Sequence, residues 1–279
     1  MTDIEFEKEN KKNIDLMSKD PKLKKITRSW FDLAFKHQYS YHFTWLGRPI
    51  IQFPQDMIAL QEIIWDVKPD IIIETGIAHG GSLIFSASML QLIGGGKVIG
   101  IDIDIRKHNK DEIKKHPLYK RIKMIEGSSV DPKIIKKVFS AVKHKKKIMV
   151  FLDSNHTHEH VLKELEAYSS LVKKVHQFAK GKKNILLLLD SLHTHKHVLE
   201  ELNLYSNLIK KNNYIIVYDT IVNDMPKNSF PNRPWSKKNN PKTAVREFIK
   251  KNKRFKVNKD FEKKLLITSS PDGFLQCME

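Results

Sequence analysis

The stretch DIIIETGIAHGGS, residues 70–82, passes from a β-branched run straight into a glycine-rich turn. Ile71, Ile72 and Ile73 carry the branched side chains that suit a strand covered on both faces. Glu74-Thr75-Gly76 closes that strand, and Gly80-Gly81-Ser82 opens an apolar helix running to Leu92. Glycine lets backbone approach a ligand closely, and the first N–H groups of a helix have no partner within it. A strand, a glycine turn and a helix start in this order make a nucleotide-type site. The competing reading is a plain turn, with the acidic residues acting as helix caps.

The flanking segments repeat the alternation. Before the strand, PQDMIALQEIIWDVKPD places Met57, Leu60, Ile63 and Ile64 at helical spacing, and Pro69 ends the helix. After it come strand Lys97–Ile101 ending at Asp102, strand Ile122–Ile125 before Glu126-Gly127-Ser128-Ser129, and a helix over Pro132–Val142. Strand Ile148–Leu152 then ends at Asp153, and strand Tyr214–Tyr218 ends at Asp219. Alternating strands and helices predict an α/β, Rossmann-like, doubly wound and mostly parallel sheet with helices on both faces. The C-terminal part supplies a polar loop (223–242), a helix from Pro241 to Asn252, and strand candidates at Phe255–Val257 and Leu265–Thr268. Residues 1–45 read as an N-terminal helical arm and residues 46–279 as a single domain.

One segment occurs twice. KKKIMVFLDSNHTHEHVLKELEAYSSLVKK (145–174) returns as KKNILLLLDSLHTHKHVLEELNLYSNLIKK (182–211), with 19 of 30 positions identical on direct comparison. Two units are too few for a solenoid, so a tandem duplication within an ordinary sheet accounts for the repeat. If both strands enter the sheet, Asp153 and Asp219 are two strand spacings apart, roughly 10 Å, and Asp190 becomes the neighbour of Asp219. Alternatively one copy takes the usual strand position and the other is displaced. Copy one keeps DSNHTHEH and is given the chemistry, with copy two, which runs directly into the final central strand, as the alternative.

The chemistry follows from residue types at strand ends. Asp102, closing the second strand of the glycine unit, can accept both hydroxyls of a ribose. The chain lacks a strict G-x-G-x-x-G and a G-x-x-x-x-G-K-[ST], which argues against a dinucleotide and a triphosphate. In Asp153-Ser154-Asn155-His156 and Asp190-Ser191-Leu192-His193 a carboxylate that suits a hard cation precedes an imidazole that can take a proton. Asp219 offers another oxygen ligand. His158, His160, His195 and His197 read as helix-capping or surface positions. A zinc hydrolase could use the same histidines, although on a helix only positions 156 and 160 share a face. A noncatalytic binding module is the third reading.

Composition narrows the partners. Among the 279 residues, 50 Lys and Arg against 32 Asp and Glu give a net charge of +18, but the lysines fall in short dispersed runs without interleaved aromatics. That pattern fits solvated faces and no specific nucleic-acid partner. No apolar run is long enough to span a bilayer, the start is charged, and the one cysteine, Cys277, excludes a disulfide framework. A cytoplasmic protein is expected, and a homo-oligomer is compatible with the sequence.

With these residues in place the chain resembles the cephalosporin hydroxylase/rhamnosyl O-methyltransferase family of class I methyltransferases. The matching stretches are QFPQDMIALQEIIWDVKPDIIIETGIAHGGS, KVIGIDIDIRKHNKDEIKKHPLYKRI, EGSSVD, LDSNHTHEHVLKELEAYSSLV, YIIVYDTIVNDMP and RPWSKKNNPKTAVREFIKKN. The resemblance implies S-adenosylmethionine as methyl donor, Mg2+ or a similar divalent cation, and a hydroxyl acceptor on a sugar or other small metabolite. By motif position Glu74, Gly76 and Ser82 would line the methionine end of the cofactor, Asp102 its ribose and Ser128 its adenine, with Asp153 also beside it. The Asp-x-x-His pair of related sugar methyltransferases, ligand and base, matches Asp153/His156 and equally Asp190/His193. Asp219 would be a further metal ligand, at a strand end where some relatives carry Glu-Asp and this chain has Tyr218-Asp219.

Overall fold

Two helices lead in, α1 (Asp3–Lys19) and α2 (Pro21–Lys36), each started by a side-chain cap: Thr2 accepts from the Glu5 N–H, and Asp20 from the N–H groups of Lys22 and Leu23. Such caps satisfy donors that a helix start leaves open. The structure, a computed structural model, describes residues 1–142, 144–145, 147–154, 159–160, 162–164, 166–170, 184–190, 192–227 and 229–279. A hairpin of β1 (Phe43–Trp45) and β2 (Arg48–Ile50) follows, then α3 (Pro54–Val67).

From there strands and helices alternate: β3 (Ile71–Thr75), α4 (Gly81–Leu92), β4 (Lys97–Asp102), α5 (Lys107–Lys115), β5 (Ile122–Glu126), α6 (Pro132–Val142) and β6 (Lys147–Leu152). The described residues between 159 and 170 are helical and form α7. β7 (Asn184–Leu189), α8 (His195–Tyr205), β8 (Tyr214–Val217), α9 (Pro241–Lys251), β9 (Phe255–Val257), α10 (Lys259–Leu265) and β10 (Phe274–Cys277) complete the chain. Among the described residues these strands build one eight-stranded sheet in the order β5-β4-β3-β6-β7-β8-β10-β9. It is parallel from β5 through β8, and β10 runs antiparallel to both its neighbours.

The β3 residues show why this stretch sits at the centre. All five are buried. Ile71 and Ile73 join the core on one face, with α6 and α8, while Ile72 joins the core on the other, with α3 and α4. Strand order reverses at β3, which carries β4 on one side and β6 on the other. In an open α/β sheet the crevice outside such a switch point is where ligands bind.

Both repeats enter the sheet side by side. β7 pairs with β6 through Leu152↔Leu189 and with β8 through Leu189↔Val217. The strand expected at Leu265–Thr268 is absent: α10 runs through Leu265, and the last strand is Phe274–Cys277. The segment after α10 spends its hydrogen bonds on a carboxylate instead of a strand. Asp56 accepts from the Thr268 hydroxyl, from the Ser269 N–H at 2.8 Å and from the Ser269 hydroxyl at 2.8 Å. Burial pushes the Asp56 carboxyl up to about 6. Among the described residues no helix is long and apolar enough to cross a membrane.

Candidate functional site

The end of β3 is packed so closely that a side chain has no room. Gly76 has φ +88°, and a Cβ there would lie 1.7 Å from the Asp153 carbonyl oxygen. The loop beyond it is held from two sides. The Asp102 carboxylate accepts from the Ile77 N–H at 2.8 Å and from the Asp104 N–H at 3.2 Å. Arg48, from β2, donates to the His79 carbonyl at 2.6 Å and to Asn109 at 2.9 Å, and Asn109 donates to the Ala78 carbonyl at 2.9 Å. The hairpin therefore acts as a clamp on the glycine loop, a role the sequence reading did not give it.

Glu74 is buried beneath this loop. One of its carboxyl oxygens accepts from the Ser82 hydroxyl, and the other has no partner among the described residues. Burial pushes its carboxyl up to about 8, against the opposing pull of Ser82, and the nearby Asp153 charge adds to the rise. On the adjoining wall Ser128 and Ser129 follow β5, and the Ser129 hydroxyl meets His160 Nε2 at 3.1 Å. Ile103, next to Asp102, lines the same wall and is 73% exposed, a large aliphatic surface left open. The only signal for Ile103 in the sequence was its place after the acid. His160, expected as a cap or surface residue, instead faces this cavity from α7.

Farther along the sheet edge the second repeat meets the following strand. Asp190 follows β7, Asp219 lies just past β8, and His193 precedes α8. Ligand atoms of these three lie within 4.8 Å of one another. His193 Nε2 is 3.4 Å from Asp219 Oδ2 and 4.0 Å from Asp190 Oδ1. Burial holds the Asp190 carboxyl well above the carboxylate range, and the charges of Asp153, Asp219 and Glu201 push the same way. Asp219 adopts φ +53°, the left-handed region uncommon outside glycine, which turns the chain at this strand end.

The remaining histidines divide. His195, at the start of α8, uses Nδ1 toward the Thr243 hydroxyl at 2.8 Å and Nε2 toward Glu247 at 3.0 Å, fastening α8 to α9. His197 is buried at 1% exposure, neither cap nor surface. His156 and His158 lie outside the described residues. Asp153 is exposed on the cavity wall, one strand away from Asp190.

Aromatic side chains between β8 and α9 cover the imidazole. Trp235 stands edge-on to His193 with ring centroids 4.8 Å apart, Phe230 packs on Trp235 at 6.1 Å, and Phe35 of α2 packs on Phe230 at 5.6 Å. Arg233 lies 5.2 Å from the Trp235 ring. The glycine loop, the Asp102 wall, the carboxylate row and this aromatic cover enclose one cavity of about 1450 Å³.

The Rhamnosyl O-methyltransferase/CmcI family matches residues 37–175 and 170–278 of the chain. The chain belongs to this family. The two matched segments overlap at residues 170–175. The rhamnosyl O-methyltransferase of Mycobacterium leprae (strain TN) is 32% identical over 130 residues, 46% of this chain and 55% of that protein. That of Mycobacterium tuberculosis (strain ATCC 25618 / H37Rv) is 30% identical over 125 residues, 44% of this chain and 49% of that protein. The chain thus spans about half the length of the curated relatives it matches. Among solved structures, apo CmcI-N160 is 14% identical, with 86% of this chain and 77% of that one covered and a TM-score of 0.46. The structure described as cmcI-D160 Mg-SAM is 15% identical, with 86% and 78% covered and a TM-score of 0.44.

Proposed function

We propose that this family member is an S-adenosylmethionine-dependent O-methyltransferase, assisted by Mg2+ or a similar divalent cation, that acts on a hydroxyl of a sugar or comparable small metabolite. The observation that carries the reading is that a glycine loop with its strand-end acids and the Asp190–His193–Asp219 group open into one cavity. The mycobacterial relatives are named rhamnosyl O-methyltransferases, which supports a sugar hydroxyl as the acceptor.

The residues fit both groups. Glu74 keeps a buried carboxyl oxygen without a partner among the described residues, and Gly76 leaves a bare stretch of backbone beside it. Two carboxylates crowded against one another suit a hard cation, whose charge offsets their repulsion. Glu74, Gly76 and Ser82 would hold the methionine end of the cofactor, Asp102 its ribose and Ser128 its adenine, with Ile103 as an apolar face. Asp190 and Asp219 would hold the cation.

When bound, the cofactor supplies an electrophilic methyl group and the cation supplies Lewis acidity toward an acceptor oxygen. The chain supplies position and a proton acceptor. His193 Nε2 takes the proton that the acceptor hydroxyl loses, and Asp219, 3.4 Å away, stabilises the resulting imidazolium. Trp235 and Phe230 cover this imidazole and exclude water from it. Asp102, Arg48 and Asn109 keep the glycine loop in its bound shape. The chemistry is thereby assigned to the second repeat.

Calorimetric titration of the full chain with S-adenosylhomocysteine, followed by transfer of labelled methyl to methyl α-L-rhamnoside with Mg2+, tests the proposal. Binding and metal-dependent transfer are expected. A folded chain that does not bind the nucleoside at all would sink it.

A further inference from the structure

The two sides of α2 have different fates. On the inner side Phe31 is buried and stacks on Phe53 with ring centroids 5.2 Å apart, and Trp30 meets Tyr39 at 4.8 Å. The outer side carries Lys22, Lys25, Ile26, Ser29, Leu33 and Lys36, all exposed. At the α-helical turn these six fall within one sector of about 100°, a single stripe along the helix. Ile26 is 65% and Leu33 60% exposed, so two large aliphatic side chains stand open to water. The stripe holds no acid, and none of its three ammonium groups has an ion-pair partner among the described residues, whereas Arg28, off the stripe, pairs with Asp32 at 2.7 Å. Over the whole helix five Lys and Arg stand against one Asp. The preceding α1 also exposes Ile4 and Phe6, but its five acids outnumber its four lysines, so it lacks this charge.

We propose that the outer stripe of α2 docks on an anionic lipid surface and holds the protein at the interface. Ile26 and Leu33 enter the boundary between headgroups and acyl chains, as the apolar face of an interfacial helix does. Lys22, Lys25 and Lys36 lay their stems along the same boundary and reach lipid phosphates with their ammonium groups. The charge pattern selects this occupant. A second copy of the chain, net charge +18, would set these unpaired lysines against their own counterparts. A nucleic acid would satisfy the lysines but offer the two aliphatic side chains no apolar phase, since its backbone contacts are electrostatic. Lys36 and Tyr41 are exposed and also line the cavity, so the stripe ends at the cavity rim, and docking sets that rim beside the lipid surface. The proposal stands on α2 and needs no catalytic assignment.

The test is co-sedimentation of the full chain with vesicles of phosphatidylcholine alone or with about 30% phosphatidylglycerol. The anionic vesicles should bind at least about tenfold tighter than the neutral ones. Ile26→Ser combined with Leu33→Ser should weaken that binding by about tenfold or more, through lost apolar burial. Lys22→Gln, Lys25→Gln and Lys36→Gln together should weaken it by about 100-fold, about fivefold for each lysine near the surface. Removing the same number of charges from the exposed Lys133, Lys136 and Lys137 of α6 should cost less than about fivefold, which separates docking through α2 from general adsorption of a basic protein. All these variants should melt with the unaltered chain, because every substituted side chain is exposed. Absence of binding to anionic vesicles, equal binding to both kinds, or full binding by the Ile26/Leu33 variant overturns the proposal. So does an α6 variant as weak as the α2 lysine variant. A dimer in sedimentation velocity that the Ile26/Leu33 variant loses would give the stripe to a second copy, and also overturns it.

Discussion

His160 and His197 hold the same position in two similar repeats, yet one faces the cavity and touches Ser129 while the other is buried at 1% exposure. The strand-end acids diverge in the same way. Asp153 is exposed beside the glycine loop, whereas Asp190 is crowded by three carboxylates and grouped with His193 and Asp219. Local sequence is shared, so the difference comes from what each repeat has for a neighbour. β6 lies against β3, and β7 lies against β8. A motif acquires its chemistry from the adjacent strand as much as from its own residues.

The sharpest way to break this comparison is His193→Ala. Loss of a positioned proton acceptor should lower kcat by about 10²- to 10⁴-fold, with S-adenosylhomocysteine affinity little changed, as steady-state kinetics and calorimetry would show. An unaltered kcat would return the chemistry to the first repeat. Next in size is Glu74→Gln. The folded-state pKa of about 8 exceeds the ordinary 4.5, so the stability from a protonated Glu74 is complete below pH 4.5 and is lost as pH rises through 8. The neutral isostere should melt like the unaltered chain at pH 4 and be more stable above pH 8, by up to about 5 kcal/mol. Thermal melts at pH 4, 6 and 8.5 check the sign.

A third contrast sets Asp190→Asn against Asp153→Asn. Removing an anionic ligand should weaken Mg2+ by about 100-fold or more, while the neighbouring substitution leaves it within about threefold. Equal losses would mean that the two strand ends share the cation. The smallest contrast lies between the paired histidines themselves. His197→Ala should cost about 2–3 kcal/mol of stability through a buried void, measured by denaturant melts. His160→Ala should cost about 1 kcal/mol through one lost hydrogen bond, and should also weaken cofactor binding a few-fold.

The sequence by itself determined the layers and the glycine turn at the end of β3. The Ile71–Ile73 run, the glycine turn after it and Asp102 have local causes, namely branched side chains on a two-sided strand and backbone that tolerates no Cβ. These local causes place the strand and its turn at the centre of the sheet, and Gly76, Asp102 and Ser128 line the cavity. Leu265–Thr268 misled because α10 takes in Leu265 and Thr268 bonds to a distant buried carboxylate, Asp56, 212 residues away. His195 escaped for a similar reason, since its partners Thr243 and Glu247 lie on α9. Only tertiary structure decided which repeat meets Asp219. The two copies present the same Asp-Ser-x-His pattern, so composition and spacing cannot separate them. Strand order can, because carboxylates share a cation only from adjacent strand ends, and β7 is the strand that β8 adjoins.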